Sequence, residues 1–236
     1  MQYFGGKQRI SKPLAAFLNS QLKPGQAFYD MFCGSCNVVS KIDPNRDRIA
    51  NDLHKELIAM WRYVQQGGEL PDEISEEQYK SIKLSGENWQ KGFVGFACSF
   101  SGKYWGGYAR CNQGKNYCKQ SKSTTMKKLS TMQGVLFVTC DYKQINIAHK
   151  NAMIYCDIPY KGTTGYSVEA FNHEAFYTWA KKQKWKGHTV LVSEYEQNVP
   201  DGWKVVWRHE SRKSIRDKEG IQQPTVEILM NSSLTI

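Results

Sequence analysis

Short apolar runs separated by longer amphipathic stretches set the rhythm of the chain. Residues 27–32 form a first run with the length of a buried strand, and 48–52, 135–141, 153–157 and 189–193 repeat it. Residues 203–207 and 225–230 form a closing pair that brackets a charged loop, 208–223. Between the runs the period changes to that of helices. Residues 11–22 carry a helical pattern, with Pro13 acceptable in the first turn, and Lys23-Pro24-Gly25 ends it. Residues 53–63 are plainly amphipathic and stop at Gly67-Gly68. Residues 71–84 form a polar helical excursion capped by Ser75, and Asn172-His173-Glu174 opens a helix over 175–182 with Trp179 on its buried side. Strands alternating with helices predict an α/β fold with a mostly parallel sheet and a late hairpin.

Three of the strand ends carry chemistry. The first runs into Cys33-Gly34-Ser35-Cys36-Asn37 and an apolar stretch that begins a helix, a geometry that presents backbone N–H groups to a nucleotide-like ligand. The second ends in Asn51-Asp52, where an acid can hold ribose hydroxyls or cap the following helix. The fourth ends in Asp157-Ile158-Pro159-Tyr160. Proline terminates that strand and leaves a carboxylate and an aromatic ring at its carboxyl edge. Such a corner fits a flat heterocycle bearing an amino group, although an Asx-type turn beside a core tyrosine would read the same way.

Composition narrows the partners. At 236 residues with 40% hydrophobic positions the chain is globular, and no stretch is apolar enough to span a bilayer. The N-terminus lacks the apolar core of a secretory signal, so a cytoplasmic protein is expected. Seven cysteines without an export signal read as reduced thiols. The Cys33/Cys36 pair has no second half with zinc-site spacing, so no metal is expected.

The net charge of +10 is unevenly spread. Between Asn88 and Cys140 there is no acid, while Lys91, Lys103, Arg110, Lys115, Lys119, Lys122, Lys127 and Lys128 are basic. A polyanion, first of all nucleic acid, is the natural partner. In the same stretch Phe93, Phe96 and Phe100 have helical spacing and are expected in a core. Residues 102–112, with Tyr104, Trp105 and Tyr108 among glycines, suggest a loop or hairpin whose exposed aromatics and basic residues suit phosphate contact and base readout. A merely solvated basic surface is the plainer alternative.

Taken in order, these pieces resemble the DNA adenine methyltransferase (Dam) family of SAM-dependent N6-adenine methyltransferases. Tyr3-Phe4-Gly5-Gly6-Lys7 resembles the family's N-terminal motif, and Asp30-Met31-Phe32-Cys33-Gly34-Ser35-Cys36 its Phe-x-Gly-x-Gly cofactor turn. Asn51-Asp52 sits at its ribose acid, and Asp157 to Tyr160 at its Asp-Pro-Pro-Tyr. Residues 107–112 are similar to its DNA-reading hairpin, Cys140-Asp141-Tyr142 to its pre-catalytic acid motif, and Ser211-Arg212-Lys213-Ser214-Ile215 with Glu227-Ile228-Leu229 to its C-terminal signature. Ile158 stands where the family has proline, and Cys36 where it has a second glycine.

The resemblance implies a Rossmann-like methyltransferase sheet over 1–70 and 132–236, with a small, mostly helical target-recognition insertion and hairpin over 71–131. It implies transfer of a methyl group from S-adenosylmethionine to adenine N6 in a flipped-out base of double-stranded DNA by a monomer. Asp157, Ile158, Pro159 and Tyr160 would form the catalytic corner. Tyr3, Gly5, Lys7, Asp30, Phe32, Gly34, Asp52, Asp141, Asp157 and Phe171 would line the cofactor, and Lys103, Tyr108, Arg110, Asn112 and Lys119 would contact DNA. A restriction-modification or phage setting suits such an enzyme. The rivals are a DNA-binding relic impaired by Cys36 and Ile158, or methyl transfer to RNA or to a protein amide.

Overall fold

A computed structural model describes residues 1–111, 113–161, 171–212 and 224–232. Asn112, most of the loop after Tyr160, and Lys213-Ser214-Ile215 lie outside the described residues. In chain order the elements are α1 (Ser11–Gln21), β1 (Phe28–Asp30), β2 (Arg48–Asn51), α2 (Lys55–Gln65), α3 (Glu76–Leu84), α4 (Trp89–Ala97), α5 (Tyr117–Leu129), β3 (Val135–Val138), β4 (Met153–Cys156), α6 (His173–Trp185), β5 (Thr189–Tyr195), β6 (Trp203–Arg212) and β7 (Pro224–Ser232). The strands are of mixed direction, and the fold is α/β and Rossmann-like, as expected. No helix among the described residues is long and apolar enough to cross a membrane.

The chain divides into two compact units. The first comprises Met1–Gln21 and Phe32–Ile145. In it β2 and β3 pair in parallel, with Arg48 opposite Val135 and Asn51 opposite Val138. Arg48 is buried and its guanidinium donates to the carbonyls of Thr131 (2.8 Å) and Gln133 (2.7 Å), which satisfies a charge that burial alone would make costly. Helix α2 buries Leu57, Ile58, Met60, Trp61 and Val64, an apolar stripe at helical spacing. It packs on α4, and the contact is close because Gly92 has no side chain: a Cβ there would sit 1.9 Å from the Glu56 carbonyl oxygen. Helix α3 begins with a capping box, Ser75 Oγ accepting from Gln78 N and the Gln78 side chain accepting from Ser75 N.

Two sequence expectations need correction in this unit. The turn after Phe32 leads not into an α-helix but into a single 3-10 turn, Val39–Lys41. The backbone is extended again at Ile42 (φ -76°, ψ 144°), and Pro44 disfavours helical backbone at the next residue, Asp43. Phe93 and Phe96 are core residues, but Phe100 is 70% exposed. Helix α4 ends at Ala97, and Ser99 is already extended (φ -101°, ψ 148°), so the helical spacing is broken before Phe100 is reached.

The second unit comprises Leu22–Met31 and Asn146–Ile236. Its strands run in the order β1-β4-β5-β7-β6. The β1–β4 and β4–β5 pairs are parallel, with Asp30 opposite Tyr155 and Cys156 opposite Val192. β7 is antiparallel to both β5 and β6, as the closing pair predicted, and β6 carries an irregularity between Val205 and Trp207. β4 is buried along its whole length, which is why Met153–Cys156 reads as an unbroken apolar run.

Candidate active site

In the first unit the turn after β1 is built around Gly34. Its backbone is left-handed (φ +47°), and a Cβ would stand 3.0 Å from the Tyr3 ring, so glycine lets Tyr3 lie directly against the chain. Gly34 N donates to Asp52 Oδ2 (2.9 Å), and the Gly34 carbonyl accepts from Trp61 Nε1 (3.1 Å). Asp52 directly follows β2 and is bonded to the turn. Its other oxygen accepts from His54 N (3.0 Å). A carboxylate has about four acceptor sites, so these two donors leave room for a ligand hydroxyl. Burial pushes the Asp52 carboxyl up, against the opposing pull of those backbone donors.

Helix α2 is capped by neither Asn51 nor Asp52. His54 caps it, its Nδ1 accepting from Leu57 N at 3.3 Å. Burial pushes the His54 imidazole down, which suits the neutral ring that such an acceptor requires. The ring lies edge-on to Tyr104 (4.3 Å between centroids) and tilted against Phe96, and Tyr3 packs on Phe96 in turn (4.8 Å). An aromatic wall of Tyr3, Phe96, His54 and Tyr104 thus stands beside the Gly34 turn. Of the other cofactor candidates here, Lys7 is buried, Gly5 is left-handed (φ +72°), and Phe32 packs on Tyr142. Asp141 Oδ1 accepts from Lys143 N (2.8 Å).

The DNA-facing candidates divide. Lys103 and Lys119 are exposed. Arg110 is held by a bidentate pair to Glu76, with Nε 3.0 Å from Oε2 and Nη2 2.6 Å from both carboxylate oxygens. Tyr108 is turned inward, its hydroxyl donating to the Ile74 carbonyl (2.7 Å) and its ring edge-on to Tyr79. Trp105 also packs on Tyr79. The aromatic side chains of 104–108 are therefore used for packing, where the sequence suggested exposed rings. The expected hairpin is reduced to one antiparallel bridge, Ser99 with Tyr108.

In the second unit the corner after β4 is held from several sides. Ile158 is buried, Asp157 half-buried. The Pro159 carbonyl is bonded to His173 Nε2 (2.9 Å). Lys161 N donates to Glu194 Oε2 (3.2 Å), and Asn198 Nδ2 bridges the Lys161 carbonyl and Glu194 Oε1, both at 3.1 Å. Tyr160 donates its hydroxyl to Glu227 Oε2 (3.2 Å) and stands edge-on to Tyr195, 4.5 Å between centroids. Burial, then the nearby Asp157 and Glu227 carboxylates, push the Tyr160 phenol well up, so it stays neutral. Asp30 is buried at the end of β1, and Phe171 packs on His173 and Phe176.

Sequence reasoning missed His54, Trp61, Lys128, His173, Glu194, Tyr195 and Asn198. Among the residues that brace the two strand ends, only Glu227 had a signal, through the C-terminal signature.

No curated protein matches the chain in sequence. Among solved structures it is similar to the 23S rRNA methyltransferase ErmE, with 10% identity and a TM-score of 0.43 over 96% of this chain and 70% of that one. It is similar to a SAM-dependent O-methyltransferase from Thermotoga maritima, with 11% identity and a TM-score of 0.39 over 96% of this chain and 65% of that one. A precorrin 8W decarboxylase from Methanobacterium thermoautotrophicum has 9% identity and a TM-score of 0.40 over 93% of this chain and 89% of that one. Residues 3–103 match the family model described as D12 class N6 adenine-specific DNA methyltransferase, and that match supports the family resemblance carried by the Tyr3–Lys7 and Asp30–Cys36 motifs.

Proposed function

We infer that the chain transfers a methyl group from S-adenosylmethionine to the exocyclic N6 amino group of adenine in DNA. The observation that carries this most directly is the braced Asp157-Ile158-Pro159-Tyr160 corner at the carboxyl end of β4. The family match supports methyl transfer from the other end of the chain, since it covers the Gly34 turn and Asp52 but stops before the corner.

When bound, S-adenosylmethionine supplies an electrophilic methyl group on a sulfonium. Tyr3, the Gly34 turn and Asp52 would hold the adenosine end, with the carboxylate as acceptor for a ribose hydroxyl. Gly5, Lys7, Phe32 and Asp141 are the further cofactor candidates of the first unit, and Asp30 and Phe171 those of the second. The target base must leave the duplex, at a cost of about a few kcal/mol, before its amino group can be reached. Tyr160 stacks on it, with Glu227 and Tyr195 fixing the plane of the ring. The adenine amino lone pair is delocalised into the ring and is a poor nucleophile. Asp157 and the Ile158 carbonyl accept its two hydrogens, which favours a tetrahedral nitrogen aimed at the methyl group. Isoleucine serves as well as proline in that role because the acceptor is backbone. Lys103, Arg110 and Lys119 contact phosphates. Arg110 reaches them by exchanging an exposed, solvent-screened ion pair with Glu76.

Tritium transfer from labelled cofactor to DNA, RNA and protein tests this. Counts in DNA, lost by at least about a thousandfold in Asp157→Ala, are expected. Counts confined to RNA or protein contradict it.

A further inference from the structure

Lys128 lies in the basic segment that the charge pattern assigned to nucleic acid, yet its ammonium is turned inward. Nζ donates to the Ser35 carbonyl and to Asn37 Oδ1, both at 2.6 Å. These are the residues on either side of Cys36, whose backbone is left-handed (φ +55°) and whose side chain is fully buried. A residue with a Cβ pays for that conformation, and such strain persists only where the surroundings fix it. Here they do. Asn37 Nδ2 donates to Ser35 Oγ (2.9 Å), Lys41 Nζ to the Asn37 carbonyl (2.8 Å), and Cys36 N to the Cys33 carbonyl (2.7 Å). Those three bonds are local, whereas Lys128 reaches Ser35 and Asn37 from a helix distant in sequence, at the last turn of α5.

We propose that Lys128 is a positioning residue for the cofactor turn: from α5 it clamps Ser35 and Asn37, and so keeps Cys36 left-handed where glycine would need no clamp. The proposal rests on the reading of residues 33–37 as the cofactor turn. Without the clamp Cys36 relaxes toward ordinary backbone, Ser35 and Gly34 move with it, and the Gly34 N–Asp52 bond that fixes the carboxylate is disturbed. In Cys36→Gly the left-handed state is intrinsically allowed, and the clamp becomes dispensable. Lys128 and Cys36 should therefore be coupled, which two independent packing residues would not be.

A double-mutant cycle of Lys128→Met and Cys36→Gly, read by calorimetry with S-adenosylmethionine, tests this. Lys128→Met should raise the dissociation constant about tenfold in the wild-type background, the cost of one left-handed residue. In the Cys36→Gly background the same change should cost less than about threefold. Equal losses in both backgrounds, or none in either, overturn the proposal. In turnover, the single variant Lys128→Met should raise KM for the cofactor with kcat unchanged. If the wild-type chain bound no S-adenosylmethionine, the cofactor reading would fail, and thermal denaturation of the same four proteins would still judge the clamp. Lys128→Met should then lower Tm by about 2–4 °C more in the wild-type background than in the Cys36→Gly background. Additive Tm changes would refute it.

Discussion

Gly34 and Glu194 show what single positions do at the two strand ends. In Gly34→Ala the new methyl group meets the Tyr3 ring at 3.0 Å while the backbone stays at φ +47°, so two penalties fall on one residue. A loss of about 1–3 kcal/mol in stability and weaker S-adenosylmethionine binding are expected from denaturant titration and calorimetry. Glu194 is fully buried and accepts from Lys161 N, Tyr195 N (2.8 Å) and Asn198 Nδ2. Glu194→Ala leaves those donors unsatisfied, and a loss of about 2–4 kcal/mol together with a slower methyl-transfer step should follow. Wild-type turnover in that variant would mean the corner needs no bracing. Asp52 and Tyr160 could be singled out from sequence as candidates because Asp52 ends one apolar run and Tyr160 lies just beyond another. Glu194, Trp61 and Lys128 were not, because each acts on a residue 27 to 93 positions away.

Among elements, the contact of α2 with α4 is the most sharply specified. Gly92→Ala would place a methyl group 1.9 Å from a backbone oxygen that cannot swing aside, so the helices must separate. A Tm fall larger than that of any single cap removal is expected, and an unchanged Tm would contradict the packing. Ser75→Ala, which breaks the α3 capping box on the exposed surface, supplies the comparison at about 1 kcal/mol. Element existence was readable wherever burial imposes a period, as in β4 and α2. It was not readable in α5, whose buried residues are Cys118, Ser121 and Thr125 and leave no apolar stripe. The misplaced Phe100 has the opposite cause: a spacing that continues the helix past its end at Ala97, although the backbone is already extended at Ser99.

At the scale of the whole molecule, charge is the feature that sequence overstates. Of the eight basic residues between Asn88 and Cys140, Lys128 faces the Ser35–Asn37 turn, and Lys122 pairs with Asp72 at 3.0 Å. DNA affinity should still fall steeply with salt. Lys119→Ala should reduce the slope of log affinity against log salt by about one, while Lys128→Met should leave it unchanged. Burial also lowers the Lys128 ammonium to about 8 from its ordinary 10.5, with Lys41 adding repulsion and Cys36 opposing it. The folded chain then releases this proton near pH 8, whereas the unfolded chain holds it to above 10. Unfolding takes up a proton between those values, so this group makes the fold more stable as pH rises through that window. The difference in stability between wild type and Lys128→Met, followed across that window, should move in favour of wild type.

The α/β fold and the motif-bearing strand ends were present in the order of apolar runs. What was missing is the packing that turns the Trp105 and Tyr108 rings inward, because it depends on Tyr79 and Ile74 in another helix and loop. The most direct measurement is nucleoside mass spectrometry of duplex DNA incubated with the protein and S-adenosylmethionine. N6-methyladenine should appear with the wild-type chain and be absent with Asp157→Ala. Cofactor binding without any methylated adenine, or methylation at another base, would contradict the assignment.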